Sequence, residues 1–143
     1  MAYCTLDDLK AANISEREMI QLTDDEGIGE INSGRIDRAI KTADDKIESF
    51  LRGRYTLPLN PVPGEINAAA VALTIYYLFL RSRKREIPDI IQARFDEAKE
   101  TLKNLQSGKQ RLGVETPAPE KRVYKTNKTS EDRVFSKDVL DTF

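Results

Sequence analysis

A sharp joint between two dissimilar helices constrains this chain more than any other feature. Apolar side chains recur at helical spacing over residues 33–52, so this stretch predicts an amphipathic helix. Gly53 ends that helix, and three prolines follow between positions 58 and 63. Each proline biases the residue before it away from helical geometry. The sequence therefore predicts an extended connection from Tyr55 to Gly64, which leads into a second and much more apolar helix.

The joint combines apolar, aromatic and basic side chains. We expect Tyr55 and Leu57 to anchor the connection on the helical core, with two apolar residues of the preceding helix beneath them. The Arg52-Gly53-Arg54-Tyr55 turn has two open interpretations, an anion site or a hub of ion pairs with Glu48. The residues assigned to the structural joint are Phe50, Leu51, Arg54, Tyr55, Leu57 and Pro58.

The helix after the joint, over residues 65–83, is apolar on two faces. A helix of that kind is buried on two sides. Its alanines between positions 68 and 72 leave room for a neighbouring helix to approach closely. We expect the second apolar face to contact a neighbouring subunit. That face comprises Val71, Ile75, Leu78 and Phe79.

The rest of the body is helical as well. Thr5 can cap one short helix, and Ser15 with Glu18 forms a capping box for a second. A fifth helix starts after Pro88 and ends at Gly108. The expected fold is an all-α bundle of about five helices, two of them short and three long.

Residues 1–108 form the expected helical domain, and residues 109–143 form a C-terminal arm that is weakly structured alone. The arm carries eight Lys or Arg and six Asp or Glu, with few apolar residues before its end. Such a segment buries too little surface to order itself. Four apolar residues near the end have about helical spacing, and we expect them to dock on a neighbouring subunit or on another protein. They are Phe135, Val139, Leu140 and Phe143.

The composition does not indicate catalysis. The chain has no histidine and one cysteine, which excludes Ser-His and Cys-His nucleophiles, the usual zinc ligands and an intrachain disulfide. It has no phosphate-binding loop. We therefore expect no enzyme activity, no cofactor and no resident metal. The net charge of −1 argues against a broad basic surface for nucleic acid, and the longest apolar run is too short for a membrane span.

Three polar or aromatic clusters have two interpretations each. The acidic loop over residues 24–30 suits either solvation or a hard cation, although its spacing does not match the EF-hand loop. Arg81 to Arg85 suit either the negative end of a helix dipole or a phosphate. Tyr76 and Tyr77 suit core or interface packing better than base stacking, because no basic residue interleaves with them.

Taken in order, these features resemble the head–tail connector (adaptor) proteins of Mu-like phages and prophages. An opening Leu-Asp-Asp-Leu run at residues 6–9 matches that family, as does the Leu-Thr-Asp acidic-glycine loop at residues 22–27. The third helix has the family's Ala-Ile, Ala-Asp, Ile, Leu and Arg-Tyr pattern between Ala39 and Tyr55, followed by Leu57-Pro58-Leu59. The similarity covers about residues 3–108 and, more loosely, an Arg-Val-Phe run in the arm.

The resemblance implies a mostly helical subunit that assembles side by side into a ring, commonly dodecameric, below the portal. Such a ring joins head to tail, holds the exit channel closed and presents a docking surface. The implied partners are other copies of the chain, the portal protein, tail completion proteins and passing DNA, which is contacted without sequence specificity. The resemblance implies no contact with a membrane. The implied location is the head–tail junction of the virion, with assembly in the host cytoplasm.

Two other classes stay open. A helical nucleic-acid-binding or packaging accessory module would require a basic stripe along a helix, and here the basic residues cluster at helix ends. A small enzyme or ligand-binding bundle is disfavoured by the lack of histidine and of a phosphate loop. The connector role is the main hypothesis, and the nucleic-acid-binding module is its alternative.

Overall fold

The structure, a computed structural model, describes residues 2–12, 14–82 and 86–114. Within these residues all regular secondary structure is α-helical, and the prediction of two short and three long helices is confirmed. The helices are α1 (Leu6–Ala11), α2 (Glu16–Thr23), α3 (Ser33–Leu51), α4 (Gly64–Arg81) and α5 (Asp89–Ser107).

Side-chain caps set the starts of the first three helices. The Thr5 hydroxyl accepts a hydrogen bond from the Asp8 amide, and the Asp8 carboxylate accepts one from the Thr5 amide, which completes a capping box. Ser15 accepts a hydrogen bond from the Glu18 amide, which is one half of the predicted capping box, and the reciprocal bond from the Ser15 amide to the Glu18 side chain is not among the described contacts. Asn32 caps α3 through the Arg35 amide, a role that was not expected from the sequence.

The three long helices form an antiparallel bundle with α4 in contact with every other helix. Arg35 at the start of α3 and Arg81 at the end of α4 both pair with Asp25, so these helix ends lie side by side. At the other end of α4, Glu65 accepts a hydrogen bond from Gln110, which follows α5. We call the first of these the loop end and the second the joint end.

Both apolar faces of α4 are buried inside the single chain. The four residues expected at a subunit interface are between 0% and 8% exposed, because α4 packs on α3, α5 and the two short helices. In this subunit they offer little surface to a neighbour, although Val71 and Ile75 line a groove beside α4. Their role at an interface stays a prediction, and it would require the bundle to open. They are Val71, Ile75, Leu78 and Phe79.

The first residues of the chain are inserted into the bundle rather than left outside it. Tyr3 is 1% exposed, and its amide donates to Asp44 at 3.2 Å. Its hydroxyl donates to Glu48 at 3.1 Å and accepts from the Leu59 amide at 3.4 Å. Asn67 donates to the Tyr3 carbonyl at 2.9 Å. The N-terminal segment therefore ties α3, the connection and α4 together.

Burial in this cluster shifts two ionisation equilibria. Desolvation raises the pKa of the Tyr3 phenol to about 12, and the nearby Glu48 carboxylate adds to the increase. Desolvation also raises the pKa of Asp44, although the hydrogen bond from the Tyr3 amide acts in the opposite direction. The fold thus favours the neutral form of Tyr3.

We predict an alkaline loss of stability that depends on Tyr3. A pKa that is raised in the fold contributes stability that is fully present below pH 10 and is lost as the pH rises towards 12. Over that range the wild type should lose about 2–3 kcal/mol more unfolding free energy than Tyr3→Phe. Urea titrations of both proteins at stepwise alkaline pH measure this difference. Parallel pH profiles for the two proteins would contradict the prediction.

Candidate functional site

Tyr55 anchors the joint, as expected from its place after the third helix. Its ring is 5% exposed, and its hydroxyl accepts a hydrogen bond from the Leu112 amide at 3.1 Å. Leu112 is itself buried, so the core continues past the end of α5. Leu59, which was not expected to be an anchor, is 3% exposed, whereas Leu57 is half-buried. The deeper aliphatic anchor is therefore Leu59.

The remaining joint residues differ in their exposure. Leu51 is fully buried, and Phe50 is half-buried with the Lys46 ammonium 5.3 Å from its ring centroid. Pro58 is exposed, and the peptide bond before it is cis. The connection bends several times and is not the simple extended segment that the prolines predict.

Arg54 closes the joint from the other side. Its guanidinium donates to the Gln106 carbonyl at 3.5 Å and lies so close to Gly108 that a β-carbon there would overlap it. Gly108 also has a φ of +80°, a conformation that glycine adopts without strain. A cation at the C-terminal end of α5 suits the helix dipole. Neither the anion site nor the ion-pair hub describes this contact, since Glu48 instead accepts the Tyr3 hydroxyl.

The acidic loop is organised by its first carboxylate. Asp24 accepts hydrogen bonds from the amides of Gly27, Ile28 and Gly29 at 2.8, 3.1 and 2.7 Å. The two glycines have φ angles of +75° and +83°, which turn the chain around the carboxylate. These hydrogen bonds, that of Gly29 foremost, hold the pKa of Asp24 below its usual range. The loop is therefore ordered by its own backbone.

Two arginines hold the next two carboxylates of the loop. Arg35 binds Glu26 through two nitrogens at 2.9 and 2.6 Å, and it approaches Asp25 at 3.3 Å. Arg81 pairs with Asp25 and donates to the Leu22 carbonyl at 3.0 Å. The hydrogen bond from Arg35 lowers the pKa of Glu26. We call this network the clasp, because it joins the end of α2, the start of α3 and the end of α4.

The clasp involves side chains from both the acidic loop and the basic cluster, for which the sequence left two interpretations open. Its carboxylates face arginines, and the described residues include no group of three or more potential metal-ligating side chains. Arg81 is engaged with the loop and is not a free cation at a helix end. The other basic residues of that cluster, Arg83 to Arg85, lie outside the described residues.

Three large apolar side chains are exposed at the loop end. Ile28 is 72% exposed at the tip of the acidic loop, while Leu80 and Ile90 are 55% and 61% exposed on adjoining helix ends. They are the exposed large hydrophobic residues among those that the structure describes. In the sequence, the only signal for this surface is an isoleucine between two glycines of the acidic loop. The carboxylates of that loop suggested a cation site instead.

The aromatic pair on α4 packs against α5. Tyr76 stacks on Phe95 with 3.8 Å between the ring centroids, and Tyr77 meets the same ring edge-on at 6.4 Å. Both tyrosines are half-buried. Because these rings stack on one another, the packing interpretation of the pair describes the structure, and base stacking does not.

A groove of about 620 Å³ runs between α1, α4 and α5. Alanines form much of its lining, and Asp8, Glu65, Glu97 and Arg94 stand around it. The alanines of α4 predict a surface of small side chains, and this groove is the part of that surface that stays accessible. The alanines that line it are Ala11, Ala12, Ala68, Ala69, Ala72 and Ala98.

Four predicted contact residues cannot be placed. The apolar tip of the arm lies outside the described residues, and its docking stays a prediction. The tip residues are Phe135, Val139, Leu140 and Phe143.

None of the helices in the described ranges has the length and apolar character needed to cross a bilayer.

We predict that Tyr55 stabilises the fold through both its ring and its hydroxyl. Tyr55→Ala should cost about 3–5 kcal/mol, as large aromatic truncations in cores do. Tyr55→Phe keeps the ring and leaves the Leu112 amide without its acceptor, so it should cost about 1–3 kcal/mol. Phe50→Ala, at a half-buried neighbour, should cost less than Tyr55→Ala. Urea unfolding measures all three, and an unchanged midpoint for Tyr55→Ala would contradict the prediction.

A second prediction concerns the acidic loop. Asp24→Ala removes the acceptor of three amides, so hydrogen exchange at residues 27–29 should accelerate while the unfolding midpoint changes little. Glu30→Ala, at an exposed carboxylate of the same loop, serves as the control. Because the pKa of Asp24 is lowered, protection in the wild type should persist at mildly acidic pH and fall only as the pH drops through that lowered value. Equal exchange rates in Asp24→Ala and the wild type would disprove the role of the carboxylate.

A comparison with protein families gives one match over most of the chain. A family model described as Bacteriophage Mu, Gp36 matches residues 3–130. The match includes every described helix and continues past Val114, but it ends before Phe135. A search of curated proteins finds no significant match. The chain therefore belongs to the Bacteriophage Mu Gp36 family.

Proposed function

We propose that this protein is a structural head–tail connector subunit of a Mu-like tailed phage or prophage, and that it forms a ring between the portal and the tail. Membership of the Mu Gp36 family carries the proposal, because it makes the chain a phage protein. The connector resemblance of the joint and of the acidic loop supplies the finer role. Other copies of the chain, the portal protein and tail completion proteins are the proposed partners, and the head–tail junction is the proposed location.

The geometry of the loop end supports a role in assembly. The clasp and the Asp24 hydrogen bonds hold a short loop in a fixed shape, with Ile28 at its tip. Leu80 near the end of α4 and Ile90 near the start of α5 are exposed apolar side chains as well. Protein interfaces depend on a few apolar anchors whose geometry is already set before binding, because ordering them on contact costs free energy. The loop end has both properties.

A ring requires each subunit to present two different surfaces. Contacts of this head-to-tail kind close into rings when the rotation between neighbours is a simple fraction of a turn. The loop end is one such surface in our proposal. The role is mechanical and needs no turnover, so we propose a structural protein and not an enzyme. Passing DNA would be contacted without sequence specificity.

Assembly can be tested by native mass spectrometry over a concentration series, with and without the portal protein. We expect a ring at high subunit concentration. Ile28→Asp/Ile90→Asp should raise the subunit concentration of half-assembly by at least about tenfold, equivalent to about 1.4 kcal/mol. Thr56→Asp/Asn60→Asp adds the same charge at exposed positions of the joint end and should change it by less than about twofold. A monomer at every concentration, with or without the portal, would refute the proposal.

The arm enters the same experiment. Deletion of residues 130–143 should leave the helical core folded and weaken assembly or portal binding, if the apolar tip docks as predicted. The described helices all precede this deletion, so circular dichroism gives a direct control for folding. A truncated protein that assembles and binds as well as the full chain would make the arm a passive tail.

The alternative is a helical nucleic-acid-binding or packaging accessory module. It has less support, because Arg81 is paired with Asp25 and Arg35 with Glu26, which removes two cations from any basic surface. A fluorescence titration with duplex DNA at moderate salt separates the two proposals. Tight binding by the unassembled subunit would favour the accessory module.

A further inference from the structure

The groove between α1, α4 and α5 has an apolar floor and a negative rim. Ala69 and Ala98 are 4% and 7% exposed at its base, while Ala68 stands exposed at the edge. At about 620 Å³ it has the size of sites that take up a few side chains. A surface of alanines leaves space because alanine side chains are short.

The carboxylates of the rim have no cationic partner among the described residues. Asp8 is bound by neutral donors, namely the amide and hydroxyl of Thr5 and the side chain of Asn67. Glu65 accepts from the neutral amide of Gln110, and no described ion pair involves Glu97. The Thr5 hydrogen bonds hold the pKa of Asp8 below its usual range. With Arg94 as the one cation in the lining, the rim keeps a net negative charge.

The sequence of this chain contains a segment with the complementary character. Residues 121–125 read Lys-Arg-Val-Tyr-Lys, so two apolar side chains stand between three cations. The three residues that follow, to Lys128, add a fourth cation and no carboxylate, while Glu120 directly precedes the segment. Val123 and Tyr124 suit an alanine-lined floor, and the flanking cations suit the unpaired carboxylates of the rim. The acidic loop of a second copy would face like charge at the same rim.

The segment is also within reach of the groove on its own chain. Gln110 lines the groove, and the described chain continues to Val114. From there to Val123 is a span of at most about 30 Å at 3.3–3.6 Å per residue. The groove extends along α4 from Glu65 to Ile75, a rise of about 15 Å. The family match includes residues 121–125, whereas it ends before the apolar tip.

We infer that residues 121–125 bind in the groove of their own chain, with Val123 and Tyr124 on the alanines and the cations against Asp8, Glu65 and Glu97. The arm then has two parts with different tasks. Its first part covers the subunit's own groove, and the part after residue 130 is left for contacts with other proteins. This inference does not depend on the connector role, because it concerns the isolated subunit.

Chymotrypsin cleavage after Tyr124 tests the inference on the full-length protein. Cleavage after Phe135 in the same molecule is the internal reference, at a dilution at which native mass spectrometry shows a monomer, so that no neighbouring copy covers the tip. Tethering gives an effective concentration in the millimolar range, so a segment of about 0.1 mM affinity is bound about nine-tenths of the time and cut about tenfold more slowly. We therefore expect cleavage after Tyr124 to lag behind cleavage after Phe135 by about that factor.

Charge changes on the rim supply the decisive comparison. Glu65→Lys/Glu97→Lys should release the segment and accelerate cleavage after Tyr124 about tenfold, by the same arithmetic. Glu86→Lys/Glu100→Lys alters the same number of exposed carboxylates away from the groove, and it should leave the rate within about twofold. Adding Lys121→Glu/Lys125→Glu to the rim variant exchanges the two charges and should restore protection. Circular dichroism melts confirm that each variant is folded.

Three results would overturn the inference. The first is equal cleavage after Tyr124 in the wild type and in Glu65→Lys/Glu97→Lys. The second is equal acceleration in the control variant, which would assign the effect to overall charge. The third is protection that disappears on dilution to a monomer, verified by native mass spectrometry, which would assign the segment to the groove of a neighbouring copy.

Discussion

The packing of α4 against every other helix is the interaction on which the rest of the structure depends. Nine of its side chains between Ile66 and Phe79 are buried, and four helices supply the surfaces that bury them. Short helices such as α1 and α2 are marginal alone, so their stability comes from this contact. As a consequence, most of the apolar surface of the central helix is used to hold the subunit itself together.

Much of the fold could be predicted from the sequence, because the helix signals are local. Capping residues, glycine stops and prolines set the helix boundaries to within about two residues, which is the usual resolution of such boundaries. The burial of α4 was harder to predict. The two-faced apolar pattern showed that α4 is covered on two sides, but periodicity does not distinguish a helix of the same chain from a neighbouring subunit. The short helices, each of which contacts α4, supply part of this cover within the chain itself.

The interaction surfaces were less predictable, since they depend on contacts between distant residues. The partners of Asp25 are ten and fifty-six residues away, at Arg35 and Arg81. No local pattern distinguishes such a pair from a solvated acidic loop. Likewise, the sequence predicts only that Gly108 ends a helix. In the structure the guanidinium of Arg54 also lies directly against Gly108. Tyr55 is buried at the joint, but its hydrogen bond with the amide of residue 112 joins positions 57 residues apart and has no local sequence signal.

The buried Tyr3 has a consequence for the order in which the molecule is built. Its hydrogen-bond partners lie 41, 45, 56 and 64 residues further along the chain. A ribosome delivers Tyr3 before these partners, and the site that receives it exists only after Asn67 has emerged, several seconds later at about 5–20 residues per second. Contacts of such long range are late and slow to form. The segment around Tyr3 therefore stays unenclosed until α3 and the start of α4 are available to pack around it.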